Sequence, residues 1–192
     1  MKKLVLFAVA IILTTSIGWS QKLKEFSLRN VINDQDVSLE TFPSCQGLLI
    51  IFTSNSCPYD EHYRNRIKKL SADVGEKVPV LLVNSNTEPA ESIQNMVKRA
   101  QQLGLTVPYL ADKEQVLMQQ LGATKNPQAF LLKNDNGSFS VVYSGAIDDN
   151  AQVEADVKHA YLKDAIDIML ANQKITTPEV RPTGCTIRRK SN

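Results

Sequence analysis

The chain predicts an α/β fold: a central mixed β-sheet flanked by helices, with an N-terminal β-hairpin and a C-terminal tail. Three observations predict it. Short apolar runs of strand length alternate with longer segments whose apolar residues recur at helical spacing. Later, two β-type runs flank Asn134-Asp-Asn-Gly137, the clearest hairpin signal in the chain. The 192 residues, 43% of them hydrophobic, supply one core of ordinary size.

Residues 1–20 read as a secretory signal. Lys2 and Lys3 precede an apolar stretch, Leu4–Leu13, that is too short to span a bilayer. Gly18 and Ser20 place small residues for cleavage before Gln21, so the mature chain is expected to be soluble and exported, periplasmic or extracellular. An uncleaved N-terminal anchor is the alternative. Residues 21–173 form the expected domain and 174–192 the tail. Phe26–Leu28 and Val37–Leu39 flank Asn33-Asp-Gln-Asp36 as a short hairpin. Leu48–Thr53 is a buried-type strand. A helix follows from Pro58, with Tyr59, Tyr63, Ile67, Leu70 and Val74 on one face, and Gly75 ends it. Val78–Val83 is a second strand. The next helix buries Ile93, Met96, Val97, Ala100 and Leu103 and stops at Gly104. A short strand over Val107–Ala111 and a brief helix over Lys113–Leu121 follow. Ala129–Lys133 and Phe139–Tyr143 make the hairpin. Asp148, Asp149 and Asn150 then cap a long last helix reaching Asn172, with Val153, Val157, Tyr161, Ala165 and Ile168 inward.

Charge narrows the function. Without Lys2 and Lys3, 20 basic residues face 20 acidic ones, a neutral balance that argues against nucleic acid as a partner. There are three cysteines, Cys45, Cys57 and Cys185, and an exported chain is free to form disulfides. The odd count leaves at least one unpaired or paired with another molecule. With no Cys-x-x-Cys and only His62 and His159, neither a metal site nor a cofactor is expected.

Cys57 carries the chemistry. It sits where an apolar strand gives way to a helix, with Pro58 at the first helical position. A thiol there is expected at an open mouth, facing unpaired helix N–H groups that favour the reactive thiolate. Asp60 and Glu61 in the first turn oppose that effect. A buried, inert cysteine is the bland reading.

The element order is that of a thioredoxin-like domain. The chain resembles the redoxin proteins of the alkyl hydroperoxide reductase/thiol-specific antioxidant group, and within it a peroxiredoxin-like subgroup marked by Asn-x-Cys-Pro-Tyr, here Asn55–Tyr59. Asn84-Ser-Asn86, Gly145–Asn150 and Pro182–Ile187 match in order, so the resemblance covers Phe26 to Lys190. It implies that Cys57 is the nucleophile and that Pro127 is a cis-proline facing it. The Asn126 backbone would then meet a substrate peptide or thiol. Ser54 fits the peroxiredoxin motif and is a candidate to hydrogen-bond the thiolate or a peroxide, but Ile50 stands where that motif has proline. Asp60 stands where a Cys-x-x-Cys pair has its second cysteine, and Lys125 where related proteins often have another.

Cys185 is the remaining candidate for a resolving cysteine, its thiolate favoured by Arg181, Arg188, Arg189 and Lys190. A disulfide to Cys45 and a free surface thiol are the alternatives. His62 is rotated away from the helix start. Three functions stay open: a thiol–disulfide oxidoreductase acting on protein or small-molecule thiols and disulfides, a thiol peroxidase taking hydroperoxides, and a non-catalytic binding module. Both enzyme readings need an external thiol reductant.

Overall fold

The computed structural model describes residues 21–190, so the expected signal segment lies outside the described residues. A small antiparallel hairpin, β1 (Ser27–Arg29) and β2 (Asp36–Ser38), opens the fold. The central sheet then starts with β3 (Gly47–Phe52), whose six residues are all buried. A strand apolar on both faces belongs at the middle of a sheet covered by helices on both sides. β3 pairs in parallel with β4 (Val80–Asn84), which in turn pairs in parallel with β5 (Tyr109–Ala111).

A two-residue strand, β6 (Lys125–Asn126), precedes the long hairpin strands β7 (Gln128–Asp135) and β8 (Ser138–Gly145). β7 runs antiparallel to β3 and to β8. The connecting residues Asn136 and Gly137 both have positive φ, 53° and 88°, as a two-residue hairpin turn of matching twist requires.

Helix α1 (Pro58–Val74) crosses from β3 to β4 and α2 (Ile93–Leu103) from β4 to β5. With α4 (Tyr161–Leu170) they cover one face, packing Tyr63, Ile67, Met96, Leu162 and Ile166 on Leu49, Ile51, Val80 and Leu82. The other face takes Leu48, Ile50, Phe52 and Leu81 and is covered by α3 (Val116–Leu121) and the N-terminal hairpin. No helix among the described residues is long and apolar enough to cross a membrane.

Two expectations are corrected. The last helix begins at Tyr161, not at Asp148. Asn150 Oδ1 accepts from the backbone of Gln152 and Val153, and Asp149 Oδ1 from that of Lys158. Side chains that bind nearby backbone in this way compete with helix formation. The shorter helix turns Leu162, Ala165, Ile166 and Met169 inward, while Val153 is exposed. The tail, in which no element is expected, is ordered into two short strands. β9 (Glu179–Val180) joins the sheet beside β8, giving the order β5-β4-β3-β7-β8-β9, and β10 (Cys185–Thr186) pairs with β6.

Candidate active site

The carboxyl ends of β3 and β4 and the loop before β7 meet at one end of the sheet. Cys57 is the N-cap residue of α1, with Pro58 behind it, and the Asn126–Pro127 bond is cis. Cys57 forms a disulfide with Cys185, 128 residues away, with Cα atoms 5.9 Å apart. Its Sγ lies 3.2 Å from the Asn126 carbonyl oxygen. Cys185 is thus bonded to Cys57 rather than to Cys45, which is free and half-buried.

The expected open mouth is closed. Cys57 is only 6% exposed, because the tail that supplies Cys185 lies over it. Three things hold the tail down. Cys185 pairs with Asn126 in antiparallel register, and the Ile187 amide donates to the Thr124 carbonyl at 2.9 Å. Ile187 itself is 4% exposed and joins the core of the α3 face. Beyond it, the Gln115 side chain donates to the Arg188 carbonyl and accepts from the Lys190 amide, both at 2.7 Å.

Gly184 shows how close the approach is. A Cβ there would stand 2.2 Å from the Asn126 carbonyl oxygen. Gly184→Val is therefore expected to lift β10 from β6 and open the disulfide to attack. Reduction by dithiothreitol should speed up about tenfold, since exchange rates follow access to the sulfur. Thiol release measured over time checks this, and an unchanged rate would count against it.

Beneath Cys57 the loop of residues 53–56 is anchored by a group that sequence reasoning missed. The Glu91 carboxylate is 2% exposed and accepts five hydrogen bonds. Oε1 takes Ser54 Oγ at 2.8 Å, Ser56 N at 3.0 Å and Ser56 Oγ at 2.5 Å. Oε2 takes Asn55 N at 2.8 Å and Asn84 Nδ2 at 2.7 Å. Burial alone would raise its pKa. The bonds from Ser56, Asn55, Asn84 and Ser54 outweigh burial and hold it below the usual range.

Asn84, flagged only as part of a motif, extends the network. Its Nδ2 also donates to Tyr109 Oη, which donates to Asn55 Oδ1, and its Oδ1 accepts from Asn86 N and Lys113 Nζ. Asn86 Oδ1 then accepts from Asn126 Nδ2 at 3.1 Å, tying the cis-proline loop to the same framework. Burial lowers the Lys113 pKa to about 8, against the pull of Glu91, Asp112 and Glu88. No local pattern marks Glu91, because its loop partners lie 35 to 37 residues away.

The remaining candidates take defined places. Ser54 spends its hydroxyl on Glu91 rather than on sulfur. Lys125 Nζ donates to Thr186 Oγ1 across the β6–β10 pair. Asp60 turns away from the cysteine and accepts from Thr53 Oγ1 at 2.6 Å and Ser54 N at 3.1 Å. Burial nevertheless lifts its pKa to about 7, against those hydrogen bonds. The folded chain therefore keeps a proton that the unfolded chain has lost. That contribution to stability is present at low pH and is lost as pH rises from about 4 to about 7. Urea unfolding across this window is expected to show the decline in the wild type and a flatter profile in Asp60→Asn. Equal slopes would remove Asp60 as its source.

No curated protein matches the chain. Among solved structures it is similar to a hypothetical protein from Sinorhizobium meliloti 1021, at 28% identity and TM-score 0.80, over 92% of this chain and 97% of that one. It is also similar to an uncharacterized conserved protein from Geobacillus kaustophilus, at 29% identity and TM-score 0.78, covering 90% and 93%. The fold extends to a secreted disulfide oxidoreductase of Mycobacterium tuberculosis, at 12% identity and TM-score 0.54, covering 74% and 94%. The Redoxin family model matches residues 20–161, and with a thioredoxin-like sheet, a cis-proline and a helix-capping cysteine at its centre, the chain belongs to the Redoxin family.

Proposed function

We propose that the protein is an exported thiol–disulfide oxidoreductase of the peroxiredoxin-like redoxin subgroup, with Cys57 as nucleophile and Cys185 as resolving cysteine. The observation that carries this reading is the Cys57–Cys185 disulfide, formed where the tail pairs with the cis-proline loop. In the reduced protein the Cys57 thiolate attacks one sulfur of a substrate disulfide. A mixed disulfide forms and the first substrate thiolate leaves. Cys185 thiolate then attacks Cys57 Sγ, closing the internal disulfide and releasing the second substrate thiolate. Two electrons have passed to the substrate, and an external thiol restores the reduced protein by the reverse exchange. Asn126 and Pro127 form the binding edge. The Asn126 carbonyl already touches Sγ, and its buried Oδ1 has no hydrogen-bond partner among the described residues. Pro58 starts the helix behind the sulfur, and Ser54 serves through Glu91.

The same disulfide also ends a peroxidase cycle, in which Cys57 thiolate attacks the O–O bond of a hydroperoxide, the alcohol or water leaves, and Cys185 then displaces water from the sulfenic acid. The Ser54–Glu91 bond favours exchange, since it occupies the hydroxyl that would meet a peroxide.

Reduced Cys185→Ser separates the readings. With hydroxyethyl disulfide it is expected to accumulate a mixed disulfide at Cys57, while adding Cys57→Ser to it abolishes that adduct and leaves only the half-buried Cys45. Sulfenic acid forming faster with hydrogen peroxide than on an ordinary thiol would move the assignment to peroxidase. Alkylation of Cys57 in Cys185→Ser no faster than that of a free thiol across the neutral range would leave only a binding module. Mass spectrometry of the intact chain reads all three.

A further inference from the structure

A cavity lies apart from the disulfide, in the cleft between α1 and α2. Its volume is about 430 Å³, within the range of about 300–1,000 Å³ common to small-ligand sites. Its floor and far wall are apolar, supplied by Ile67 of α1, Leu82 of β4, and Leu105 and Val107 of the α2–β5 connection. Its charged groups are of mostly one sign. Asp60, Arg64 and Lys68, four residues apart, put one carboxylate and two cations along a single stripe of α1, and Arg99 of α2 adds a third cation.

The positive charge there is incompletely balanced. Glu61 is shared by two guanidinium groups, Arg99 at 2.8 Å and Arg64. Burial, and then the neighbouring Arg99, press the Arg64 pKa down, which places two cations close together on one carboxylate. Asp60 compensates only in part, since burial lifts its pKa to about 7 and leaves it partly protonated near neutral pH.

We propose that this cleft binds a small molecule with an apolar body and one anionic head, the body lying on Ile67, Leu82, Leu105 and Val107 and the head on Arg64 and Arg99. An oxyanion matches the fork of guanidinium donors better than a hydroxyl or an ammonium group does. An apolar tail gains from the same contacts that the floor residues already make with the core. The site reaches the redox loop, because Thr53, Ser54 and Asn55 also line it. Neither cysteine does, so its occupancy does not depend on the proposed reaction.

Calorimetry and amide chemical shifts of the oxidised protein with decanoate, below its micelle concentration, test this. Decanoate is expected to saturate one site and shift Thr53–Asn55 and Leu103–Val107. Decanol is expected to bind about tenfold more weakly, the worth of one charge-assisted contact. Arg64→Gln with Arg99→Gln should erase that preference while leaving the melting temperature unchanged, and Leu105→Trp should block both ligands. Equal binding of decanol and decanoate, shifts located elsewhere, or a preference that survives the double variant would overturn the proposal. So would the absence of saturable binding. The same titration of Cys57→Ser keeps this outcome separate from any failure of the redox reading.

Discussion

Replacing Glu91 with glutamine is expected to cost the folded protein about 3–5 kcal/mol and to loosen the loop that carries Cys57. The reason is a mismatch of donors. Both carboxylate oxygens accept only from N–H and O–H groups, and an amide must present its own N–H₂ to one set. On the Oε2 side that set is Asn55 N–H and Asn84 Nδ2, and Asn84 is not free to flip because its Oδ1 already serves Asn86 and Lys113. On the Oε1 side the Ser54 and Ser56 hydroxyls are able to turn, but the Ser56 amide is not. Either orientation leaves a buried donor unsatisfied, and the remaining bonds lose their charge. Urea unfolding measures the loss, and hydrogen exchange at Asn55 and Ser56 reports the loop. Because the native carboxyl sits below its ordinary pKa, the charged form contributes stability above about pH 4.5 that is lost on acidification. The gap between wild type and variant should therefore narrow in acid. A cost under about 1 kcal/mol at neutral pH would show that the loop holds itself without Glu91.

The second large effect lies on the opposite side of α1. Asp148→Asn is expected to destabilise by about 3–5 kcal/mol, the range for removing one partner of a buried ion pair. Arg66 and Asp148 have side chains 7% and 5% exposed and meet at 2.6 Å. Asp148 also accepts from Tyr63 Oη at 2.9 Å and Asn150 N at 3.0 Å. Burial, then Asp148 itself, drives the Tyr63 pKa upward, so the phenol remains a donor. Without the carboxylate the guanidinium keeps the Asn150 carbonyl and the Tyr63 ring, 4.1 Å away, but loses the counter-charge bonded to it. Two of its nitrogens, Nε and Nη2, already lack hydrogen-bond partners among the described residues. Adding Arg66→Met to Asp148→Asn should recover much of the loss, because the isolated cation is what costs most. A double variant weaker than the single one would contradict that account.

How far the sequence could be read depends on the range of the interactions. β3, β4 and the β7–β8 hairpin were legible because apolar runs and an Asn-Gly turn are local signals. α2 was legible with its Gly104 stop, which adopts the left-handed conformation expected of a helix end. The stretch from Asp148 to Ala160 misled because the same Asx residues that cap helices also build loops, and the α1 side chains that hold this loop, Tyr63, Arg66 and Lys69, are distant in sequence. At the site, Cys57 and Pro127 were legible from position and resemblance. The burial of Cys57, the choice of Cys57 over Cys45 as the partner of Cys185, and Glu91 were not, since each depends on residues brought together only by folding.

The tail has a consequence apart from sulfur chemistry. In running past β8, it satisfies the Ser144 and Ala146 amides through the Pro178 and Val180 carbonyls. Gly145 leaves room for it, since a Cβ there would overlap the Val180 carbonyl. A chain whose tail has been lifted or cut away would present the Ser144–Ala146 end of β8 as a bare strand edge, the kind of surface on which other strands nucleate. The segment that supplies Cys185 therefore also serves as a guard against self-association at the margin of the sheet.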